Sequence, residues 1–177
     1  MLGFAPEKLV FIDETGAKTN MTRRYGRALR GKRLVDRVPH GHWVNTTMVG
    51  ALRTIGMTAV SVLDSAMNKD RLESYVRDML CPTLRKGDIV IWDNLPAHKS
   101  SVAKSLIEGR GASLLPLPPY SPDLNPIENA FAKLKSRLRK EKIRDVEMLR
   151  DFLLQSGKFF SKAECKNYIG NAGYGVY

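Results

Sequence analysis

Three acidic residues stand where phosphodiester chemistry would need them. Asp13 lies near the end of the apolar run LVFIDE, Leu9 to Glu14. Asp93 follows the run DIVIW, Asp88 to Trp92. Glu128 sits in the first turn of a helix that follows PPYSPDLNP. Cutting or transferring a phosphodiester at neutral pH requires a strong oxygen nucleophile and neutralised charge on the phosphate. Two Mg2+ ions about 3.5–4 Å apart supply both. Carboxylates converging from different elements hold such ions, and because Mg2+ keeps part of its water shell, a few are sufficient. Competing chemistries lack their residues: there is no Gly-rich phosphate loop and no Ser-His-Asp arrangement. Three histidines are too few and too badly spaced for a zinc hydrolase. Each acid also has a plainer reading. Asp13 with Glu14 and Thr15 would make a turn, and Asp93-Asn94 an Asx turn before Pro96. Asn125-Pro-Ile-Glu128 is close to a capping box. Those readings are independent of one another, whereas one metal site accounts for all three acids in a basic chain.

The elements that position these acids follow from periodicity. Leu9 to Glu14 and Asp88 to Trp92 read as short buried strands, as does Ala112 to Leu117. His42–Arg53 and Met57–Leu63 read as two further strands, with Gly56 marking the hairpin between them. The Arg-rich stretch Gly16–Arg37 has room for one short strand near Tyr25. Asn68 is an N-cap for a helix from Lys69 to about Leu80, with Leu72, Tyr75, Val76 and Met79 on its inner face. Further helices are expected over Ser101–Glu108, from Asn125 to about Lys140 with Pro126 at the first position, and over Val146–Phe160. The tail NYIGNAGYGVY reads as irregular. This alternation predicts an α/β fold, a mixed five-stranded sheet with helices on both faces, and Asp13 and Asp93 at the ends of two of its strands, where sites gather in open α/β sheets. In the helix from Asn125, Ile127, Ala130, Phe131, Leu134 and Leu138 form the buried stripe. Glu128, Ala132, Lys135 and Arg139 form the adjacent one.

Charge points to a polyanionic partner. The chain of 177 residues carries 29 Lys and Arg against 18 Asp and Glu, a net charge of +11. Fourteen of the cations lie in two short stretches, Arg23 to Arg37 and Lys133 to Arg144. Such density suits surfaces that follow a phosphate backbone. Arg23, Arg24, Arg27 and Arg30, together with Lys135 and Arg139 on the stripe of Glu128, are the expected contacts to a phosphate backbone. Hydrophobic residues make up 43% of the chain, enough for a core. No apolar stretch reaches the ~18 residues of a membrane span, and the N-terminus lacks signal-peptide features. Cys81 and Cys165 form no Cys-x-x-Cys pair, which suits a reducing cytoplasm.

Three segments together carry a family resemblance: FIDET around Asp13, WDN..AHKS from Trp92 to Ser100, and PPYSPDLNPIENAFAKLK from Pro118 to Lys135. With 34 residues between Asp93 and Glu128, the chain resembles transposases of the insertion sequence 630 family, within the mariner-like superfamily. The resemblance covers roughly Leu9 to Lys140, and weakly Cys165 to Tyr174. It implies an RNase-H-like catalytic domain in which Asp13, Asp93 and Glu128 bind two Mg2+ (or Mn2+) ions. Asn94 and His98 match recurring family positions and are accessory candidates. Phe131 stands where many relatives carry Trp. The implied activity is cleavage at transposon ends and strand transfer into target DNA, in a bacterial cytoplasm and at the nucleoid when bound. DNA is the implied partner, as terminal inverted repeats and target; a homodimer is an option that the sequence leaves open. Residues 1–177 read as one catalytic domain, without the helix-turn-helix module that usually precedes the first Asp in the family. Two other readings stand beside it: a transposase remnant that binds DNA or inhibits, and another RNase-H-like nuclease.

Overall fold

The continuous apolar run Leu9–Ile12, buried on both faces, places β1 (Leu9–Lys18) at the centre of a five-stranded sheet. The computed structural model describes residues 5–23, 25–40, 42–93 and 100–175. Strand order is β3-β2-β1-β4-β5, with β2 Asn45–Arg53, β3 Gly56–Leu63, β4 Ile89–Trp92 and β5 Ser113–Pro116. β1, β2 and β3 pair antiparallel, while β1, β4 and β5 run parallel. The sheet is mixed and five-stranded, as expected. β1 runs past Glu14 to Lys18 because residues Phe11 to Lys18 pair with Leu52 to Asn45. That partner strand lies far along the chain, so no local pattern announces the extension. β2 starts at Asn45 rather than His42. Among the described residues no strand forms near Tyr25, which is 90% exposed.

Side-chain alternation divides the core between the two faces of the sheet. Leu9, Phe11 and Ile91 pack on one side. They meet Ile127, Phe131, Leu134 and Leu138 of α3 (Ile127–Glu141), Leu149 and Leu153 of α4 (Val146–Leu154), and Cys165 and Ile169 of α5 (Lys162–Ile169). Val10, Ile12, Val90 and Trp92 pack on the other. There they meet Leu72 and Tyr75 of α1 (Lys69–Tyr75) and Ala103 and Ile107 of α2 (Ser101–Glu108). Helices thus cover both faces, and the α3 stripe is the expected set: Ile127, Ala130, Phe131, Leu134 and Leu138 are all buried. At the sheet end opposite the two catalytic candidates, Arg53 donates to Asp88 Oδ2 at 2.6 Å and to the Thr83 carbonyl at 3.1 Å. This buried pair ties the β2–β3 hairpin to the entry of β4.

Two helical expectations need correction. The Asn68 cap forms, its Oδ1 accepting from Arg71 N at 2.9 Å. The helix then changes to a π turn over Val76–Leu80. A wider turn shifts the helical phase, so Leu80 is buried and Met79 is 38% exposed. The tail is not irregular at its start. α5 opens on a capping box in which Ser161 and Glu164 satisfy each other's backbone N–H, and a π turn follows over Gly170–Tyr174. No helix among the described residues is long and apolar enough to cross a membrane.

Candidate active site

Strand parity aims the first two acids at the same helix. Asp13 shares a face of β1 with Leu9 and Phe11, both packed under α3. Asp93 follows β4 on the parity of Ile91, which packs there too. The strands are in parallel register, Phe11 opposite Ile91, so extending the register by two residues sets Asp13 level with Asp93. Across β1's other edge Asp13 faces Gly50, where an added Cβ would stand 3.2 Å from Met57 Sδ.

Glu128 comes from the first turn of α3. With Asp13, Asp93 and Asn125 it lines one cavity of about 440 Å³, walled by the loop Leu117–Pro122. Asp13 is buried, Asp93 half-buried and Glu128 exposed. Asp13 Oδ1 accepts from Glu14 N–H at 2.7 Å, and Oδ2 accepts from Asn125 Nδ2 at 2.8 Å. Burial pushes the Asp13 carboxyl up to about 7; the Glu14 N–H opposes this, and the charges of Glu128, Glu14 and Asp93 add to the rise. The carboxylates are thus close enough to feel one another. As placed, no three ligating side chains among the described residues converge tightly enough to hold one metal ion. The donor chemistry nonetheless fits a hard cation: the ionisable ligand candidates facing this cavity are carboxylate oxygens.

The capping-box alternative for Glu128 fails. The N-cap of α3 is Pro126, with no side-chain cap bond, and the Asn125 side chain points to Asp13 instead. Asn125 is the site residue that the sequence reading missed, because its contact spans 112 positions. Arg24, Asn94 and His98 lie outside the described residues.

The family model described as DDE superfamily endonuclease matches residues 8–150. The chain belongs to this family. It is 33% identical over 93 residues to the Transposable element Tc1 transposase of Caenorhabditis elegans, covering 52% of this chain and 33% of that protein. The Tcb1 transposase of Caenorhabditis briggsae matches to the same extent. The chain therefore spans about a third of the length of these relatives. In fold it is similar to the Mos1 transposase paired-end complex with left transposon end, at TM-score 0.77 and 18% identity, covering 96% of this chain and 53% of that one. The Mos1 mariner paired end complex with Mn gives TM-score 0.75 at 19% identity, over 96% and 52% of the two chains. The catalytic domain of Mos1 mariner transposase gives 0.67 at 17%, over 94% and 76%. The sheet is the expected RNase-H-like one.

Around this DDE-family fold the two basic stretches differ. Arg23, Arg27 and Arg30 are exposed on a segment that leaves the sheet at Thr19 and returns at Val44. Its neck is closed by bonds between those two residues, and Arg144 Nη1 donates to the Thr19 and Met21 carbonyls at 2.9 Å each. On α3, Lys135 and Arg139 lie half-buried along the face of Glu128 and exposed Ala132. Lys133 and Arg137 turn the other way, Lys133 to Glu164 and the Phe159 carbonyl and Arg137 onto the Phe159 ring.

Proposed function

We propose that this chain is the catalytic domain of a transposase, cutting DNA at transposon ends and joining the freed strand to target DNA. The observation that carries the reading is one cavity lined by three carboxylates from three elements of a DDE-family fold. Asp13, Asp93 and Glu128 are read as the catalytic triad, and would hold two Mg2+ or Mn2+ ions. Bound there, such ions supply an activated oxygen nucleophile and stabilise the charge on the leaving oxygen. The chain's own part is positioning. Asp13 presents its oxygens from within β1, and Asp93 from the end of the adjacent strand β4. Glu128 closes the site from a helix fixed by five buried residues. Lys135 and Arg139 extend from Glu128 along α3 and are read as holding the phosphate backbone. Arg23, Arg24, Arg27 and Arg30 are read as a second set of phosphate contacts, and Asn94 and His98 as accessory positions.

The Mos1 structures with the left transposon end and with Mn support inverted-repeat DNA and a divalent metal as partners for this chain. A second copy of the chain is a further proposed partner. Tyr25, Leu29, Val35 and Val38 are 72–90% exposed on the segment beyond the neck, apolar side chains that a second copy could cover. The 177 residues are read as one catalytic unit. The test is nicking of supercoiled plasmid carrying a transposon end, in Mg2+ or Mn2+, with the native chain and with Asp13→Asn, Asp93→Asn and Glu128→Gln. Native nicking that all three changes abolish, with DNA binding retained, is the expected result. Binding without nicking by the native chain would leave a DNA-binding or inhibitory protein. Preference for RNA–DNA hybrid or branched DNA would indicate another RNase-H-like nuclease.

A further inference from the structure

We infer that Asn125 is a positioning residue for Asp13, fixing the orientation in which that carboxylate meets a divalent cation. The inference rests on the reading of Asp13 as a metal ligand. Asn125 and Asp13 are 5% and 8% exposed, so their bond is shielded from water. Asn125 Nδ2 donates to Asp13 Oδ2 at 2.8 Å. With Asp13 ionised, as a metal ligand is, the amide presents its NH2 there, since its oxygen would set two acceptors face to face. The other oxygen, Oδ1, is taken by Glu14 N–H at 2.7 Å. A carboxylate with one donor on each oxygen cannot rotate freely, yet each oxygen keeps a lone pair for a cation. This is how outer-shell partners orient metal ligands. An amide suits the task because it supplies a donor without adding charge.

The usual use of an Asn at this position is absent. The side chain does not cap α3, whose N-cap is Pro126 without a side-chain bond. The backbone around Asn125 is braced separately. Tyr174 Oη donates to the Leu124 carbonyl at 3.0 Å, and its ring meets Phe11 edge-on at 4.9 Å between centroids. Leu124 directly precedes Asn125, and Phe11 lies two residues before Asp13. The tail thus ties together the two segments that the Asn125–Asp13 bond joins.

The test is Mn2+ titration of the full chain, following free Mn2+ by electron paramagnetic resonance, with metal-free thermal melts alongside. Asn125→Ala and the milder Asn125→Ser, too short to reach Asp13, should each weaken Mn2+ binding about 10–100-fold while melting near the native temperature. In plasmid nicking, the half-saturating Mn2+ concentration should rise by the same factor and the rate at saturation should largely recover. A merely structural role would lower the melting temperature without moving the metal dependence. Native Mn2+ affinity in both variants, alongside lost affinity in Asp13→Asn, overturns the inference and leaves the site reading intact. Native affinity in Asp13→Asn overturns both. If both Asn125 variants fail to fold, Asn125 serves the fold and the inference is wrong.

Discussion

The stretches Arg23–Arg37 and Lys133–Arg144 look alike in sequence, with seven cations in each. In the folded chain they differ. The described arginines of the first are exposed beyond a pinched neck. Four cations of the second act as struts. Lys133 holds Glu164, Arg137 covers the Phe159 ring, Lys142 pairs with Asp36 at 3.4 Å, and Arg144 grips two carbonyls at the neck. Lys135 and Arg139 are left beside Glu128. Charge density therefore does not separate the struts from the cations left beside Glu128; within α3, helical phase does. Residues 133 and 137 share one stripe of α3, and residues 128, 132, 135 and 139 share another.

The largest expected effect tests the outer stripe at its head. Glu128→Gln should lower DNA cleavage by orders of magnitude with melting temperature and DNA affinity unchanged, because Gln lacks the charge a hard cation requires. The Glu128 side chain makes no cap bond whose loss would weaken α3. Native-rate cleavage by this variant in a plasmid nicking assay would remove Glu128 from the triad. Next in size is the pair Lys135→Ala, Arg139→Ala. DNA affinity should fall at every sequence, and the salt slope should flatten by about two, one per lost phosphate contact. Arg27→Ala with Arg30→Ala should give a similar or smaller change of slope and leave cleavage at saturating DNA intact. Fluorescence anisotropy across a salt series reads both pairs. If Lys133→Met flattened the slope as much as Lys135→Ala, the division of α3 by phase would be lost.

What was legible in the sequence follows the range of the interactions. The α3 stripe was readable because helical period is local, and Ile127 through Leu138 obey it. Asp93 was readable as the residue after a strand end, since an apolar run that stops at an acid is a local pattern; the same pattern placed Asp13 at the end of a strand that in fact continues to Lys18. The extension of β1 to Lys18 and the Arg53–Asp88 pair arise between residues 25 or more positions apart, as does the Asn125–Asp13 bond. Nothing in their neighbourhoods marks them. Met79 was misplaced because a π turn broke the period used to place it. α5 was missed although its Ser161-Lys-Ala-Glu164 start is a capping-box pattern. That start falls between the expected helix to Phe160 and the tail from Asn167, where no element was assigned.

The smallest effect sharpens the strut side of the comparison. Lys133 Nζ donates to Glu164 and, at 2.8 Å, to the Phe159 carbonyl, and lies 5.3 Å from the Phe160 ring centroid. It links α3 to the C-terminal helix whose capping box contains Glu164. Lys133→Met keeps the stem and removes the charge, and should lower the melting temperature by about 2–4 °C, the scale of one modest interaction in a chain this size. DNA binding should not change, because the ammonium faces the protein. The link should also show in acid. Lys133 and the two Ser161 bonds hold the Glu164 carboxyl down at about 2, from an ordinary value of 4.5. A carboxylate lowered in the folded state contributes its stability above the unfolded value and loses it as pH falls towards the folded one. The native chain should therefore lose melting temperature between pH 4.5 and 2 faster than Glu164→Gln does. The difference should be small, since both groups are partly exposed, and smaller still at high salt. Parallel melting curves across that window would show Lys133 to be no strut, and return it to the pool of phosphate-facing cations.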